Sequence, residues 1–526
     1  MRKFNVTGIC VPEENFMVDL TEKLKQIKVM VDEKEYFTIN RGRQYGKSTT
    51  LLELEKFLSD EYTVISISFE GFDEEEFANA ENFCQKLLGR IYDALLFTSE
   101  SQEYCESWKN LDVKGFDDLG RHITAMSRDK KLVLMVDEVD KASNNRVFLG
   151  FLSKLREKFL ARKARKDFTF HSVILAGVYD IKNIKLKLIQ EGLHTSDAGE
   201  TTTHNSPWNI AAQFKVDMSF SIPEIKTMLV MYEQERQMEI NIGEVAAEIY
   251  QYTSGYPVLV STICKYIDED LAKQWEAEGV RRAVKLLVAQ KENIPLFDSL
   301  FKYLENDPNV YKFMYSVLFS NQHWSFMLGN PTIALCYRYG LIESVDKKVK
   351  ISNKIFEILL IEYFVSKEKM ESLLETKAVI PENYSGIIGD GKFNMQTCLE
   401  KFAKYYHQHY SDKDIEFIER ESRFFFLFFL NPILNGHGFA HIESHFTDDR
   451  RMDVVVNYLN QQFVIELKIW RGEKRHEEAY EQLQGYMDKL SLDEGYLLTF
   501  DFREDKLQQQ KWVEVRDGMK IFDMII

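Results

Sequence analysis

Long apolar runs are missing from this chain. The greasiest stretch, Phe424–Leu430, is far too short to span a bilayer. The opening Met1-Arg2-Lys3-Phe4-Asn5 lacks the apolar core of a signal peptide. Cysteine is scarce: the six residues Cys10, Cys84, Cys105, Cys264, Cys336 and Cys398 are scattered, with no CxxC pair. That argues against a disulfide frame or a zinc site and predicts buried free thiols in a reducing compartment. No internal repeat and no low-complexity segment stands out. Positive charge is in deficit, with 67 Lys and Arg against 83 Asp and Glu and a net charge of −16. Such a balance disfavours indiscriminate coating of nucleic acid but leaves room for a local basic groove. These absences predict a soluble, cytoplasmic protein with no membrane association.

The 526 residues, 45% apolar and 13% aromatic, have the composition of a globular protein. The length allows about three domains, each with its own core. Over the first two hundred or so residues, apolar strands alternate with amphipathic helices, as in a parallel sheet covered by helices. Tyr36–Asn40, Thr63–Phe69, Leu132–Val136 and Ser172–Ala176 are the strand candidates. From Pro223 to Lys367 the pattern is mainly helical, and Gly340–Ser352 reads as two short strands around a charged turn. Helices followed by such a hairpin suggest a winged helix. The polar stretch Glu375–Gly391 is the best linker.

The first strand runs into Arg41-Gly42-Arg43-Gln44-Tyr45-Gly46-Lys47-Ser48-Thr49 and then a helix, Leu51–Leu58. A Gly-Lys-Ser turn between strand and helix is the heart of a phosphate-binding loop, where backbone N–H groups and the positive helix end attract phosphate. Lys47 is expected to reach the β- and γ-phosphates of ATP, and the Ser48 hydroxyl to ligate Mg²⁺. The usual G-x4-G-K-[ST] form has Gly where this chain has Arg41, so Gly42 is the candidate for the missing flexibility. Lys131–Val136 then leads into Asp137-Glu138, the Walker B form. Asp137 is placed for the Mg²⁺ shell and Glu138 to polarise the attacking water. The strand Ser172–Gly177 carries no polar residue at its end, where a sensor is often found. As arginine fingers, Arg156 and Arg162 stand out no more than surface helix charges do.

Near the other end, Arg451–Val456 and Phe463–Lys468 read as short apolar strands with carboxylates where the first starts and the second ends. Asp453 and Glu466 supply the hard oxygen ligands that Mg²⁺ prefers. Lys468, two residues past Glu466, shares its strand face and can offset charge developing on a phosphodiester. This Asp453-x12-Glu466-x-Lys468 pattern is similar to that of the PD-(D/E)XK nuclease superfamily. Three neighbours sharpen it. Gln482 and Tyr486 match the Q-x3-Y element of the exonuclease-like branch, whose implied role is to hold site and substrate. Either Glu419 or Glu421 is the upstream acid, with Glu421 the one carried forward as catalytic. Gly495–Phe500 supplies a later core strand.

The whole chain resembles a bacterial family of AAA-like ATPases fused to a PD-(D/E)XK nuclease domain. The resemblance rests on Arg41–Thr49, Val136–Lys141, Leu175–Asp180, Ser206–Ile210, Ser254–Pro257, Asn431–Gly436 and Glu466–Gly472. In that family Arg is common at the position of Arg41, with Pro-Arg-Arg-Phe after it where this chain has Gly-Arg-Gln-Tyr. The implied architecture is α/β and multidomain. It comprises an AAA-like P-loop ATPase core over 1–222, a helical lid with a winged-helix-like module over 223–374, a linker over 375–391 and a nuclease-like α/β domain over 392–526.

Other signals carry less. His437, His441 and His445 recur at helical spacing for metal ligands, but the alternation around them suits a strand. Phe424-Phe425-Phe426 reads as core packing. The leading functional expectation is an ATP-binding, ATP-hydrolysing and Mg²⁺-dependent nuclease in which the ATPase gates cutting of DNA, preferred over RNA, with self-association and a role against phage or mobile DNA compatible with it. The alternative is a nucleotide-gated switch or scaffold whose C-terminal domain binds nucleic acid or protein without cutting.

Overall fold

A computed structural model describes residues 1–109, 112–142, 146–177, 208–319, 324–375, 386–389, 391–409, 415–434, 437–443, 453–503 and 509–526. The chain divides into two compact units. The first is Met1–Tyr250 with Gly255–Lys265 and Arg338–Gly340; the second is Gln251–Ser254, Tyr266–Tyr337 and Leu341–Ile526.

The first unit is built on a parallel sheet of β1 (Tyr36–Asn40), β2 (Thr63–Ser68), β3 (Leu132–Asp137) and β4 (Ser172–Gly177), in the spatial order β1-β4-β3-β2. Each strand is a near-continuous apolar run because both faces are covered. Along β3, Leu132, Leu134 and Val136 join Phe83, Leu87, Phe151 and Leu155 of the helices Ala80–Leu95 and Arg146–Lys163 in one core. Val133 and Met135, pointing the other way, join Leu24, Ile27, Leu51 and Leu54 of the helices Thr21–Asp32 and Lys47–Leu58. Burying each such side chain contributes about 1.5–3 kcal/mol. Ala212 forms a parallel bridge to Phe37, extending the sheet beyond β1. The chain then enters the helix Ile222–Arg236 through a capping box between Ser221 and Glu224.

The second unit opens with helices, among them Ala277–Ala289, Pro295–Asn306 and Pro308–Phe319. The expected hairpin over Gly340–Ser352 forms as β5 (Ile342–Val345) and β6 (Lys348–Ile351). Its turn residues Asp346 and Lys347 both have positive φ, the two-residue turn whose twist matches the strands. Within the expected linker, 376–385 and 390 lie outside the described residues. The rest includes Ile388–Gly389 (β7), which pairs with Lys392–Phe393 (β8).

A mixed sheet follows, in the order β13-β14-β12-β11-β10-β9. Its strands are β9 (Gly438–Glu443), β10 (Asp453–Tyr458), β11 (Gln461–Ile469), β12 (Glu494–Phe500), β13 (Gln509–Glu514) and β14 (Lys520–Ile525). β9, β10 and β11 form an antiparallel meander, and the helix Glu473–Leu490 carries the chain from β11 to its parallel neighbour β12. That helix covers one face: Leu483, Tyr486 and Met487 pack with Val455, Val464, Leu497 and Ile521. Beneath the other face, Phe402 meets Phe426, Phe429 and Phe500 at ring-centroid distances of 5.3, 5.5 and 6.3 Å. Phe424, Phe425 and Phe426 are all buried, so that aromatic run is core. His437 precedes β9 and His441 is a buried residue within it; His445 lies outside the described residues. Among the described residues, no helix is long and apolar enough to cross a membrane.

Candidate functional sites

The phosphate-loop sequence occupies the turn from β1 into the helix Lys47–Leu58, which starts four residues before the Leu51 expected from sequence. Gly46 caps that helix in the left-handed region (φ 75°), and Gln44 also has a positive φ (55°). The sharp bends therefore fall at Gln44 and Gly46. Gly42 serves a different need, since a Cβ there would sit 2.8 Å from the Tyr339 carbonyl oxygen and 3.2 Å from the Tyr256 hydroxyl. Tyr256 donates that hydroxyl to the Arg43 carbonyl at 2.6 Å, and its ring meets Tyr45 edge-on. Arg41 donates to the carbonyls of Asn40 and Val216. Thr49 accepts from the Cys10 N–H.

Lys47 is 9% exposed, and its ammonium donates to the Arg41 and Gly42 carbonyls at 3.0 and 2.9 Å. Burial pulls its pKa below the usual lysine range, and the carboxylates of Asp140, Asp137 and Glu138 oppose that shift. Ser48 Oγ donates to Asp137 Oδ2 at 2.5 Å. Two hard oxygen donors in contact at the mouth of the loop fit Mg²⁺, which takes few protein ligands and completes its shell with phosphate and water. Glu138 follows with a left-handed φ of 53°, its N–H donating to Asp137 Oδ1 at 2.9 Å. Burial pushes the Glu138 carboxyl above its usual range; Asp137 reinforces the shift and Lys47 opposes it. A carboxylate so adjusted is a better proton acceptor near neutral pH.

Arg162 is committed elsewhere. It donates to the carbonyls of Phe170, His171 and Lys34, at the ends of β4 and β1 opposite the loop, and lies over the rings of Tyr36 and Phe159. Arg156 Nε is buried and makes no hydrogen bond among the described residues.

In the second unit, register brings the C-terminal residues into one row. Asp453 pairs with Glu466, Glu466 with Leu497, and Leu497 with Asp523. Glu466 is 2% exposed and forms an ion pair with Lys468. Lys468 Nζ also donates to Gln482 Oε1 at 2.9 Å, so a helix side chain holds the strand ammonium from above. Tyr486 lies one turn further along that helix and is buried. The backbone of Glu419 and Glu421 belongs to the helix Ile415–Leu434, but the side chains of both, and of Asp453, lie outside the described residues. Among the described residues, no group of three or more His, Cys, Asp or Glu is arranged to hold a metal.

Sequence reasoning passed over a second polar knot on this face. Asp523, fully buried, accepts at Oδ2 from Tyr480 (2.8 Å) and Gln509 (3.0 Å) and bonds His476 Nε2 at 3.1 Å. Burial and Asp523 raise the Tyr480 pKa. A lone carboxylate in the apolar run Ile521-Phe522-Asp523-Met524-Ile525-Ile526 was the available signal.

The profile of the AAA-like domain matches residues 25–365, well over half of the chain. The chain belongs to the AAA-like domain family. Among solved structures, it is similar to the Walker-type ATPase PABY2304 of Pyrococcus abyssi, at 13% identity and a TM-score of 0.45, covering 68% of this chain and 99% of that one. It is similar also to the RuvB Holliday junction branch migration motor of Thermotoga maritima (13% identity, TM-score 0.31, 66% and 96% covered). The ORC2 protein of Aeropyrum pernix matches at 10% identity and a TM-score of 0.35, over 68% and 94%. These likenesses are too distant to bear on function. No curated protein matches the chain. The AAA-like domain thus holds the parallel sheet, the loop Arg41–Thr49 and the Asp137-Glu138 strand end, while the whole C-terminal mixed sheet lies beyond it.

Proposed function

We propose that this protein binds and hydrolyses ATP with Mg²⁺ and uses that cycle to gate a Mg²⁺-dependent nuclease, acting on DNA, in its C-terminal sheet. The ATP half follows from the chemistry at the loop. Lys47 exchanges its two carbonyl partners for the β- and γ-phosphates, Ser48 and Asp137 hold Mg²⁺, and Glu138 accepts the proton of the attacking water. When bound, the ion neutralises charge on the phosphate oxygens.

The observation that carries the nuclease half is the Glu466–Lys468–Gln482 chain, in a strand whose Glu466 stands opposite Asp453. Burying a carboxylate is costly unless it is paired, and a strand-end carboxylate with an ammonium two residues on suits a metal-assisted phosphodiester cut. In this reading Asp453 and Glu466 hold Mg²⁺. Lys468 orients the attacking water, Gln482 steadies Lys468, and Glu421 is the further acid. The hairpin β5–β6 and its helices are read as a winged-helix-like module.

The test is a cleavage panel of linear, circular, single-stranded and double-stranded DNA, with RNA alongside, in Mg²⁺ with and without ATP. Cutting that depends on nucleotide and disappears in Lys468→Ala is the expected result. Cutting undiminished in that variant rejects the site. Tight nucleotide binding with a change of shape and no cleavage of any substrate would favour a nucleotide-gated switch or scaffold instead. Equal phage plating on cells with and without the gene would remove the defence role.

A further inference from the structure

β4 spans Ser172–Gly177, and its last described residue is a glycine. That end is close to the loop's root: Gly177 pairs with Asn40, and its carbonyl accepts the Arg41 N–H at 3.2 Å. A Cβ on Gly177 would lie 2.8 Å from an Asp140 carboxylate oxygen and 2.9 Å from Val139 Cγ2. The Asp140 side chain, arriving from the turn after β3, therefore lies against Gly177, where a Cβ would otherwise stand. Glycine is what permits the approach.

Two further observations point the same way. Among the carboxylates that act on the Lys47 ammonium, Asp140 has the largest influence, ahead of Asp137 and Glu138. Asn40, across from Gly177 in the register, has a buried side-chain oxygen that accepts no hydrogen bond among the described residues. The edge of the sheet beside the loop thus holds polar groups beyond those that Lys47, Ser48, Asp137 and Glu138 account for.

We propose that Asp140, carried on the turn after β3, is a positioning residue for ATP hydrolysis. Ionised, it only accepts hydrogen bonds. Beside an anionic γ-phosphate, what it can hold in addition is a donor, the attacking water, which it shares with Glu138. The water oxygen bonds to the γ-phosphorus as the bond to the β,γ-bridging oxygen breaks. The water proton passes to Glu138, and ADP and phosphate leave. Asp140 aims the water. This inference rests on the hydrolytic reading of the loop.

The experiment compares full-length wild type with Asp140→Asn, Asp140→Ala and Gly177→Ala, each checked for folding by thermal melting. ATPase kcat and KM are measured, together with affinities for MgADP and for a non-hydrolysable ATP analogue by fluorescent-nucleotide titration. Expected is a fall in kcat of roughly tenfold or more in both Asp140 variants, with MgADP affinity held within about threefold. Removing a negative charge beside the γ-phosphate should also raise the preference for the ATP analogue over ADP by about threefold or more. Gly177→Ala, by displacing Asp140, should mimic the kcat loss, and adding Asp140→Ala to it should cost little more. Wild type that hydrolyses ATP alongside Asp140 variants with unchanged kcat overturns the proposal alone. So does a loss of MgADP binding in step with rate, or an unchanged analogue-to-ADP preference. Wild type with no ATPase activity overturns the hydrolytic reading, and the proposal with it.

Discussion

Tyr256 and Arg43 stand 213 positions apart, yet the tyrosine hydroxyl donates to the arginine carbonyl at 2.6 Å and pins the outer bend of the phosphate loop. The same ring meets Tyr45 at 4.5 Å between centroids. The loop is thus held from outside by a residue of the helix approach Gly255–Pro257, and its shape does not depend on glycine alone. Tyr256→Phe keeps the ring contact and deletes the hydrogen bond, worth about 1 kcal/mol. Titration with fluorescent ATP should show affinity weaker by about fivefold. An unchanged affinity would mean that the loop holds its shape without Tyr256.

Glu138 allows activity and stability to be separated. Its folded pKa is raised above the ordinary 4.5, so its favourable contribution is complete below pH 4.5 and is lost as pH rises through the folded value. At neutral pH the ionised carboxylate is held at a cost. Glu138→Gln should therefore melt higher than wild type at pH 7 to 8, and the difference should vanish as pH falls below 4.5. The same variant should bind ATP and fail to turn it over. A lower melting temperature at neutral pH would contradict the sign.

Gln482 touches Lys468 through a single hydrogen bond. Replacing it with Leu leaves the Glu466–Lys468 pair but frees the ammonium to swing. Under the nuclease reading, the cleavage rate should fall about tenfold with substrate affinity little changed, whereas Lys468→Ala abolishes cutting. Equal losses of affinity and rate would point to a substrate-binding role for Gln482.

Asp523 is read as structural. In Asp523→Leu, the Tyr480 and Gln509 donors lose their acceptor and His476 its partner in a fully buried place, at a cost of about 3 kcal/mol or more. Asp523→Asn keeps an acceptor and should cost less. Urea unfolding of the two variants provides the comparison, and equal stability of both with wild type would show the network to be idle.

Much of this protein can be read along its sequence. The apolar runs at Tyr36–Asn40 and Leu132–Val136 are strands within a residue of their expected ends, and the charged turn at Asp346-Lys347 makes its hairpin. These features depend on neighbours in the chain: strand alternation, turn residues and a Gly-Lys-Ser bend. Gly42 illustrates the limit. Sequence suggested flexibility there, whereas the reason for glycine is the carbonyl of Tyr339, which no local pattern discloses.

By itself, then, the sequence determined the four strands of the parallel sheet, the phosphate loop with its Asp137-Glu138 partner, and the row of Glu466 and Lys468 on one strand face, while β13 and β14 went unread. Tertiary structure alone decided that Asp140 covers Gly177, that Tyr256 closes on Arg43, that Arg162 is committed away from the loop, and that Asp523 gathers His476, Tyr480 and Gln509. The reason is physical. Alternation and turn chemistry act between residues a few positions apart, whereas these contacts depend on a strand order, β1-β4-β3-β2, and on a register that only packing of both sheet faces selects.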